Sequence, residues 1–444
     1  MISAEPNISV GIIERAQEIQ GVFLGFYELP NSVRLQGQFT VHSENSVLVL
    51  KDSDGVEVIR GAEFRCIALN GATCTLCDVT IGMNFHWERK ENQTFEGNMR
   101  FLADVHGTIS AINEIGVEKY LQSVISSEMS AEAPGELLKA HAVTSRSWLV
   151  AMLERQKELK NVRVPFQRSQ ETKDEILRWY NRNDHAHFDV CADDHCQRYQ
   201  GITKVITKSA EEAVSATRGQ FLVHNNEICD ARFSKACGGR TELFEHTWEE
   251  TPIPYLQSVS DSIQIHPPVL NEADVERWIL SSPDAYCNTS DGKILKQILP
   301  SFDQETIDFF RWKVEYTQEQ LVYILYTKSE IDIGIVMDII PISRGSSGRI
   351  FKLKVVGSKR TVIVGKELEI RRWFSKSHLY SSAFIVKTER DEKGIPAKFT
   401  LYGAGWGHGV GLCQIGAAVM AAKGYKAEEI VKHYFRNSEL RKLY

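Results

Sequence analysis

Between Gly403 and Gly411 the stretch GAGWGHGVG places glycine at every second position, with Trp406 and His408 in two of the gaps. In extended backbone alternate residues face opposite sides, so the spacing predicts a segment with one side bare and an aromatic and an imidazole on the other. Glycine inside a strand gives up packing and costs chain entropy. Such a run therefore points to close approach, either by a ligand or by another stretch of the protein's own backbone. Nucleotide binding is excluded, because no Gly-x-Gly-x-x-Gly occurs here. Gly416 is also followed by Ala417 and Ala418 rather than by the Lys and Ser or Thr of a phosphate loop.

The chain has 444 residues, room for two or three domains at about 150 residues each. A formal net charge of -6 with both signs scattered leaves no basic stripe for nucleic acid. No apolar run reaches the ~20 residues of a membrane helix. The opening MISAEPNISVGI shows neither the basic nor the apolar region of an export signal, which is expected of a cytoplasmic protein or of a chain numbered after a removed signal. Nine cysteines, an odd number, argue against a fully paired disulfide framework, and their local clusters read instead as candidate metal sites.

The expected fold class is α+β: a mixed β-sheet and helical-hairpin core, an N-terminal β-rich domain and an inserted helical subdomain. Short apolar runs such as SVLVL and FRCIAL, broken by KDSDG and NGA, assign residues 1–94 to the β-rich domain. Within it Cys74 and Cys77 form a Cys-x-x-Cys without a partner pair, so they read as packing residues. In VEKYLQSVISSEM the apolar residues Val117, Tyr120, Leu121, Val124, Ile125 and Met129 keep one helical face. Pro134 opens a second helix whose stripe runs through Leu138, Ala142, Ser145, Leu149 and Met152. Residues 95–258 form the first part of the core, 259–332 the helical insertion and 333–444 the second part. In that last part IGIVMDIIPI, RIFKLKVVG and TVIVGKELEI read as strands, and CQIGAAVMAAKG and KAEEIVKHYF as closing helices.

Glu128 shares the apolar face of the first helix. Burial there disfavours the charged carboxylate, which suits general acid work; a salt-bridged glutamate at the helix end is the other reading. Arg146 lies beside the stripe of the second helix, able to orient that carboxylate or to form a structural ion pair. The run DHAHFDVCADDHCQRYQG gathers His185, His187, Cys191, His195 and Cys196, donors that suit tetrahedral zinc. His195 and Cys196 both ligate only if the chain turns between them. In FSKACGGRTE, Lys235 precedes Gly238 and Gly239, which permit a sharp turn or close ligand approach.

Together YLQSVISSEMSAEAPGELLKAHAVTSRSWL, FSKACGGRTE and GAGWGHGVGLCQIGA resemble the signature segments of the stage II sporulation protein D (SpoIID) and LytB amidase-enhancer family, over about residues 95 to 444. Members of that family include peptidoglycan lytic transglycosylases. The resemblance implies a muralytic enzyme acting on glycan strands, especially strands stripped of stem peptides. It places the catalytic glutamate at Glu128, a supporting arginine at Arg146 and a cleft lysine at Lys235. It also implies a structural zinc on His185, Cys191, His195 and Cys196, with His187 as the substitute for His185. Cys413 stands where many members carry serine, and Phe233 where others often carry tyrosine.

On this reading Gly238, Gly239, Trp406, His408 and Gln414 line the sugar-binding groove. The expected chemistry is that of the lytic transglycosylases: cleavage of the β-1,4 bond between N-acetylmuramic acid and N-acetylglucosamine by the muramic acid's own C6 hydroxyl, which gives 1,6-anhydro ends. The substrate implies a cell-envelope location. The rival reading is a non-catalytic wall-binding enhancer of an N-acetylmuramoyl-L-alanine amidase. Zinc-dependent hydrolysis is disfavoured, since no His-Glu-x-x-His occurs.

Overall fold

The apolar runs that open the chain are strands in the computed structural model: β1 (Asn7–Ala16), β2 (Glu18–Glu28), β3 (Arg34–Glu44), β4 (Val47–Asp52), β5 (Glu57–Gly61), β6 (Glu63–Ala68), β7 (Thr73–Ile81), β8 (Arg89–Glu96), β9 (Asn98–Ala103) and β10 (Ile109–Gly116). The structure describes residues 2–83, 88–104, 106–130, 132–161, 169–179, 185–193, 195–204, 207–269, 271–299 and 308–444. Two compact units emerge. The first comprises Met1–Arg146, Arg182–Gln220 and Lys442–Tyr444, and the second Ser147–Asn181 and Phe221–Arg441.

In the first unit β1 to β10 and the short strand Val190–Cys191 make one sheet. Antiparallel pairing of β1 with β10 runs from Asn7↔Gly116 to Ala16↔Ile109. Val190–Cys191 joins β1 in parallel, with Gly11 opposite Cys191. The ladder therefore unites the ends of the stretch before Gly116. Alternation does what the pleat requires: along β7 the buried positions include Cys74, Leu76, Val79 and Ile81. Cys74 and Cys77 remain free thiols, and burial holds the Cys74 thiol well above its ordinary value.

β10 runs directly into helix α1 (Val117–Glu128), which precedes α2 (Gly135–Asn161). The expected stripe is the buried one, since Val117, Tyr120, Leu121, Val124, Ile125 and Met129 are all 0% exposed. At about 1.5–3 kcal/mol for each large apolar side chain, that burial outweighs the missing side-chain cap at Gly116. Helix α3 (Lys208–Ala216) packs on α1 within the same unit.

The second unit holds α4 (Glu272–Leu280), α5 (Gly292–Ile298), α6 (Gln318–Ser329), α7 (Glu367–Trp373), α8 (Gln414–Ala422) and α9 (Ala427–Tyr434). Its largest sheet orders the strands Ser169–Glu171, Glu175–Arg178, Thr361–Gly365, Ile350–Gly357 and Val336–Arg344. Leu353, Val355, Val362 and Val364 from that sheet share a core with Leu321 and Leu325 of α6 and Ile370 and Trp373 of α7. Two expectations are corrected. TVIVGKELEI is not one strand: it breaks at Gly365 and its second half becomes α7. The stretch 259–332 is not wholly helical either. Its RWKVEYT forms the strand Arg311–Thr317, paired antiparallel with Pro396–Ala404 from Arg311↔Ala404 to Thr317↔Lys398, and Trp312 is buried. Among the described residues no helix is long and apolar enough to cross a membrane.

Candidate functional site

Glu128 is the last residue of α1 and is only 9% exposed. Seven residues after Leu121, it falls on the buried face, and the helix ends there because Met129 turns extended. The backbone N–H of Arg198 donates to its Oε1 at 3.0 Å. A fixed, sheltered carboxyl is the arrangement that general acid–base work requires. Tyr120, two turns earlier on α1, is fully buried and its hydroxyl is held well above its ordinary value, first by burial and then by the charges of Cys196, Cys191 and Glu128.

The expected arginine takes a different carboxylate. Arg146 of α2 is 0% exposed, and its Nε and Nη2 donate to Glu118 Oε1 and Oε2 at 3.0 and 2.7 Å. Glu118 also accepts from the Tyr444 hydroxyl at 2.6 Å and the Gly219 N–H at 3.3 Å. The structural ion pair is thus the arrangement that forms, at the opposite end of α1 from Glu128. Nothing in the spacing of residues marks Glu118 as the partner, and the sequence reading missed it.

The His/Cys run comes together as expected. Ligand atoms of His185, Cys191, His195 and Cys196 all lie within 4.8 Å of one another. His185 Nε2 is 3.4 Å from Cys196 Sγ, and His195 Nδ1 is 3.5 Å from Cys196 Sγ and 4.0 Å from Cys191 Sγ. One tetrahedral ion with bonds of about 2.0–2.3 Å separates its ligands by roughly 3.3–3.8 Å, so the donor set and spacing fit zinc. The chain turns between Asp193 and Cys196, whose N–H donates to the Asp193 carbonyl at 3.0 Å, and this lets the adjacent His195 and Cys196 both face inward. His187 lies outside the set, and its carbonyl accepts from Arg100. Cys196, His185 and His195 together hold the Cys191 thiol far below its ordinary value despite burial. Phe188 seats this loop on the sheet, since its ring occupies the space a side chain at Gly11 would need.

Lys235, Gly238, Gly239, Trp406, His408 and Gln414 belong to the second unit. There the glycine segment is not a strand beyond Ala404: Gly405, Gly407, Gly409 and Gly411 have φ of 77°, 89°, 77° and 75°. Its bare faces are filled by the protein itself. A Cβ at Gly409 would collide with the Arg349 guanidinium, and one at Gly411 with the Arg232 carbonyl. Arg349, 1% exposed, donates to the Gly407 carbonyl at 3.0 and 3.2 Å and to the Cys237 carbonyl at 3.0 Å. Close approach by the protein's own atoms is therefore what these glycines permit. Gly409→Ala combines a left-handed backbone with that collision, so a loss above about 1–3 kcal/mol is expected in chemical denaturation. A variant as stable as wild type contradicts this packing.

The groove residues are placed accordingly. Trp406 is half-buried between Phe309 and Tyr380, with ring centroids 4.7 and 4.6 Å away, and its backbone pairs with Ala236. His408 accepts from the Val410 N–H at Nδ1, bonds the Phe233 backbone and packs edge-on to Trp248. Gln414 is buried as the first residue of α8. Neither His408 nor Gln414 is thus an open sugar donor. Gly238 and Gly239 form the expected turn, with φ of 81° and 107°, packed against Gly405 and Trp278, while Lys235 is half-buried and its carbonyl accepts from the Ile415 N–H.

Burial holds His378 down to about 4 and His408 well below its ordinary value, in each case helped by nearby arginines. Both are neutral in the folded protein, whereas the unfolded chain binds a proton on each near pH 6.5. Stability is therefore full above about pH 6.5 and falls as the pH drops toward 4, by up to about 3 kcal/mol for His378. The melting temperature should fall between pH 7 and pH 5, with a shallower fall in His378→Gln. An unchanged slope in that variant overturns the assignment.

Residues 105–224 match the family described as stage II sporulation protein. Stage II sporulation protein D of Bacillus subtilis is 26% identical over 340 residues, 74% of this chain and 76% of that one. These matches support the SpoIID/LytB family. An uncharacterized protein of Brachyspira hyodysenteriae is 25% identical over 347 residues, 78% of this chain and 72% of its own. An amidase enhancer of Bacillus subtilis is 24% identical over 248 residues, 52% of this chain and 32% of the relative. The SpoIID match contains Glu128, Arg146 and the His/Cys cluster. Residues 242–411 match a domain of unknown function, DUF8618.

Proposed function

We propose that this SpoIID/LytB protein acts on the cell wall as a peptidoglycan lytic transglycosylase, in the cell envelope, with Glu128 as its acid and base. The observation that carries the reading is the sheltered position of Glu128 at the end of α1, fixed by the Arg198 N–H. Hydrolytic glycosidases use two carboxylates because water or an enzyme group must attack the anomeric carbon. A single carboxyl suffices when the muramic acid's C6 hydroxyl attacks instead. Protonated Glu128 gives its proton to the departing glycosidic oxygen, and the resulting carboxylate takes the proton of the C6 hydroxyl as the C6–O–C1 bond forms. Incubation of denuded glycan with the protein, followed by mass spectrometry, should yield 1,6-anhydro ends. Reducing ends alone contradict the reading.

In the same proposal His185, Cys191, His195 and Cys196 hold a structural zinc. Bound there, zinc supplies four short bonds that close the loop and no open position for substrate. Cys196 lies two residues before Arg198, so the loop that carries the cluster also carries the N–H that fixes Glu128. Chelation, or His185→Ala, should lower the melting temperature and slow glycan cleavage together. Cleavage at the wild-type rate by metal-free protein contradicts that coupling.

The relative named an amidase enhancer supports a second reading, in which the protein binds the wall and stimulates a separate amidase. That reading predicts no cleavage of glycan by the protein alone and equal stimulation of the amidase by wild type and Glu128→Gln.

A further inference from the structure

A second group of ligand atoms lies in the other unit. The thiols of Cys237, Cys287 and Cys413 and the carboxylate of Asp261 all fall within 4.8 Å of one another, and all four residues are buried. We propose that these four residues form a second metal site, a closed structural centre for zinc that locks the Gly-Gly turn to the start of helix α8 and to the 259–299 stretch.

Distance decides between the uses of such a cluster. Cys237 Sγ and Cys287 Sγ are 3.7 Å apart. A disulfide needs about 2.05 Å. Two thiolates on one tetrahedral zinc, each with a bond of about 2.3 Å, sit roughly 3.8 Å apart. An iron–sulfur cluster spreads its ligands over two or more irons, so some pairs lie farther apart than the 4.8 Å that spans all four atoms here. Three sulfurs and one carboxylate also select a soft cation over magnesium or calcium.

The surroundings are those of a ligand set. The N–H groups of Cys237 and Gly416 donate to Cys413 Sγ at 3.2 and 3.4 Å, a pattern that steadies a thiolate. Asp261 is oriented at both oxygens: the Tyr434 hydroxyl donates to Oδ1 at 2.6 Å and the Cys287 N–H to Oδ2 at 2.8 Å. Gly416 makes this possible, because a Cβ there would occupy the place of the Asp261 carboxylate and the Tyr434 hydroxyl. Among the described residues no lysine or arginine forms an ion pair with Asp261. A carboxylate held out of water without a paired cation is costly, and one divalent ion, with the thiols ionised around it, offsets that cost. Four protein ligands leave no position for water, so the role is to hold the fold.

The sequence hides the site because its ligands are scattered from residue 237 to residue 413, without the short spacings of a zinc motif. The test is metal content of the full chain, purified with zinc under reducing conditions. Wild type should carry two ions per chain. His185→Ala/Cys196→Ala should keep one, and Cys287→Ser/Cys413→Ser should also keep one. The cobalt form of His185→Ala/Cys196→Ala should retain strong thiolate-to-cobalt absorption. No metal in the folded His185→Ala/Cys196→Ala protein, or two ions surviving in Cys287→Ser/Cys413→Ser, overturns the proposal. If either variant fails to fold, X-ray absorption of wild type decides. An average midway between two and three sulfurs per zinc supports a second site, and two sulfurs per zinc contradicts it.

Discussion

Arg146→Ala should lose about 3–5 kcal/mol of stability in urea denaturation, the largest single effect expected in this protein. The cause is the charge left behind. Glu118 is 5% exposed and takes two of its hydrogen bonds from Arg146. Without the guanidinium it keeps the Tyr444 hydroxyl and the Gly219 N–H but loses the countercharge bonded to it. Arg146→Lys should not rescue it, because an ammonium cannot place two donors on the two carboxylate oxygens or reach the Gln220 carbonyl that Nη1 also contacts. Replacing both partners, as in Arg146→Met/Glu118→Gln, should cost less than Arg146→Ala alone. Cleavage per folded molecule should persist in all three variants, since the pair lies away from Glu128 on α1. A loss below about 1 kcal/mol for Arg146→Ala would show that the pair is not the buried contact described.

Glu128→Gln should leave the fold intact and reduce glycan cleavage by about 10²–10⁴-fold, the range of one general acid–base group. The amide oxygen can still accept from the Arg198 N–H, so the melting temperature should hold while turnover falls. Glu128→Asp is the harsher test of position. It keeps the acid but withdraws it by one methylene from the Arg198 N–H and from the departing oxygen, so both stability and rate should drop. Wild-type cleavage by Glu128→Gln would remove the carboxyl from the chemistry.

The parts of this protein that could be read in advance are those specified by neighbours in sequence. The α1 stripe is legible because residues three and four apart share a face, and the same arithmetic puts Glu128 on the buried side. His185, Cys191, His195 and Cys196 are legible because their donors fall within a short run, although only the turn at Asp193 decides that adjacent residues both face inward. Arg146 is different. The sequence shows it beside an apolar stripe, but its choice of Glu118 depends on how two helices meet. The glycine segment misleads for another reason: alternate glycines read as strand, while positive φ at Gly405, Gly407, Gly409 and Gly411 is invisible in residue order and follows from wrapping Arg349. Likewise RWKVEYT alternates in the manner of a strand, yet it becomes one only by pairing with Pro396–Ala404. Asp261 and Cys287 offer no local signal at all.

The central claim is that Glu128 breaks the glycosidic bond without water. Its most direct measurement is digestion of denuded glycan in ¹⁸O-labelled water, with wild type and Glu128→Gln side by side and the new ends weighed by mass spectrometry. The predicted result is unlabelled 1,6-anhydro ends from wild type and almost none from the variant. Ends that carry the heavy oxygen, or the same yield from both proteins, would contradict it.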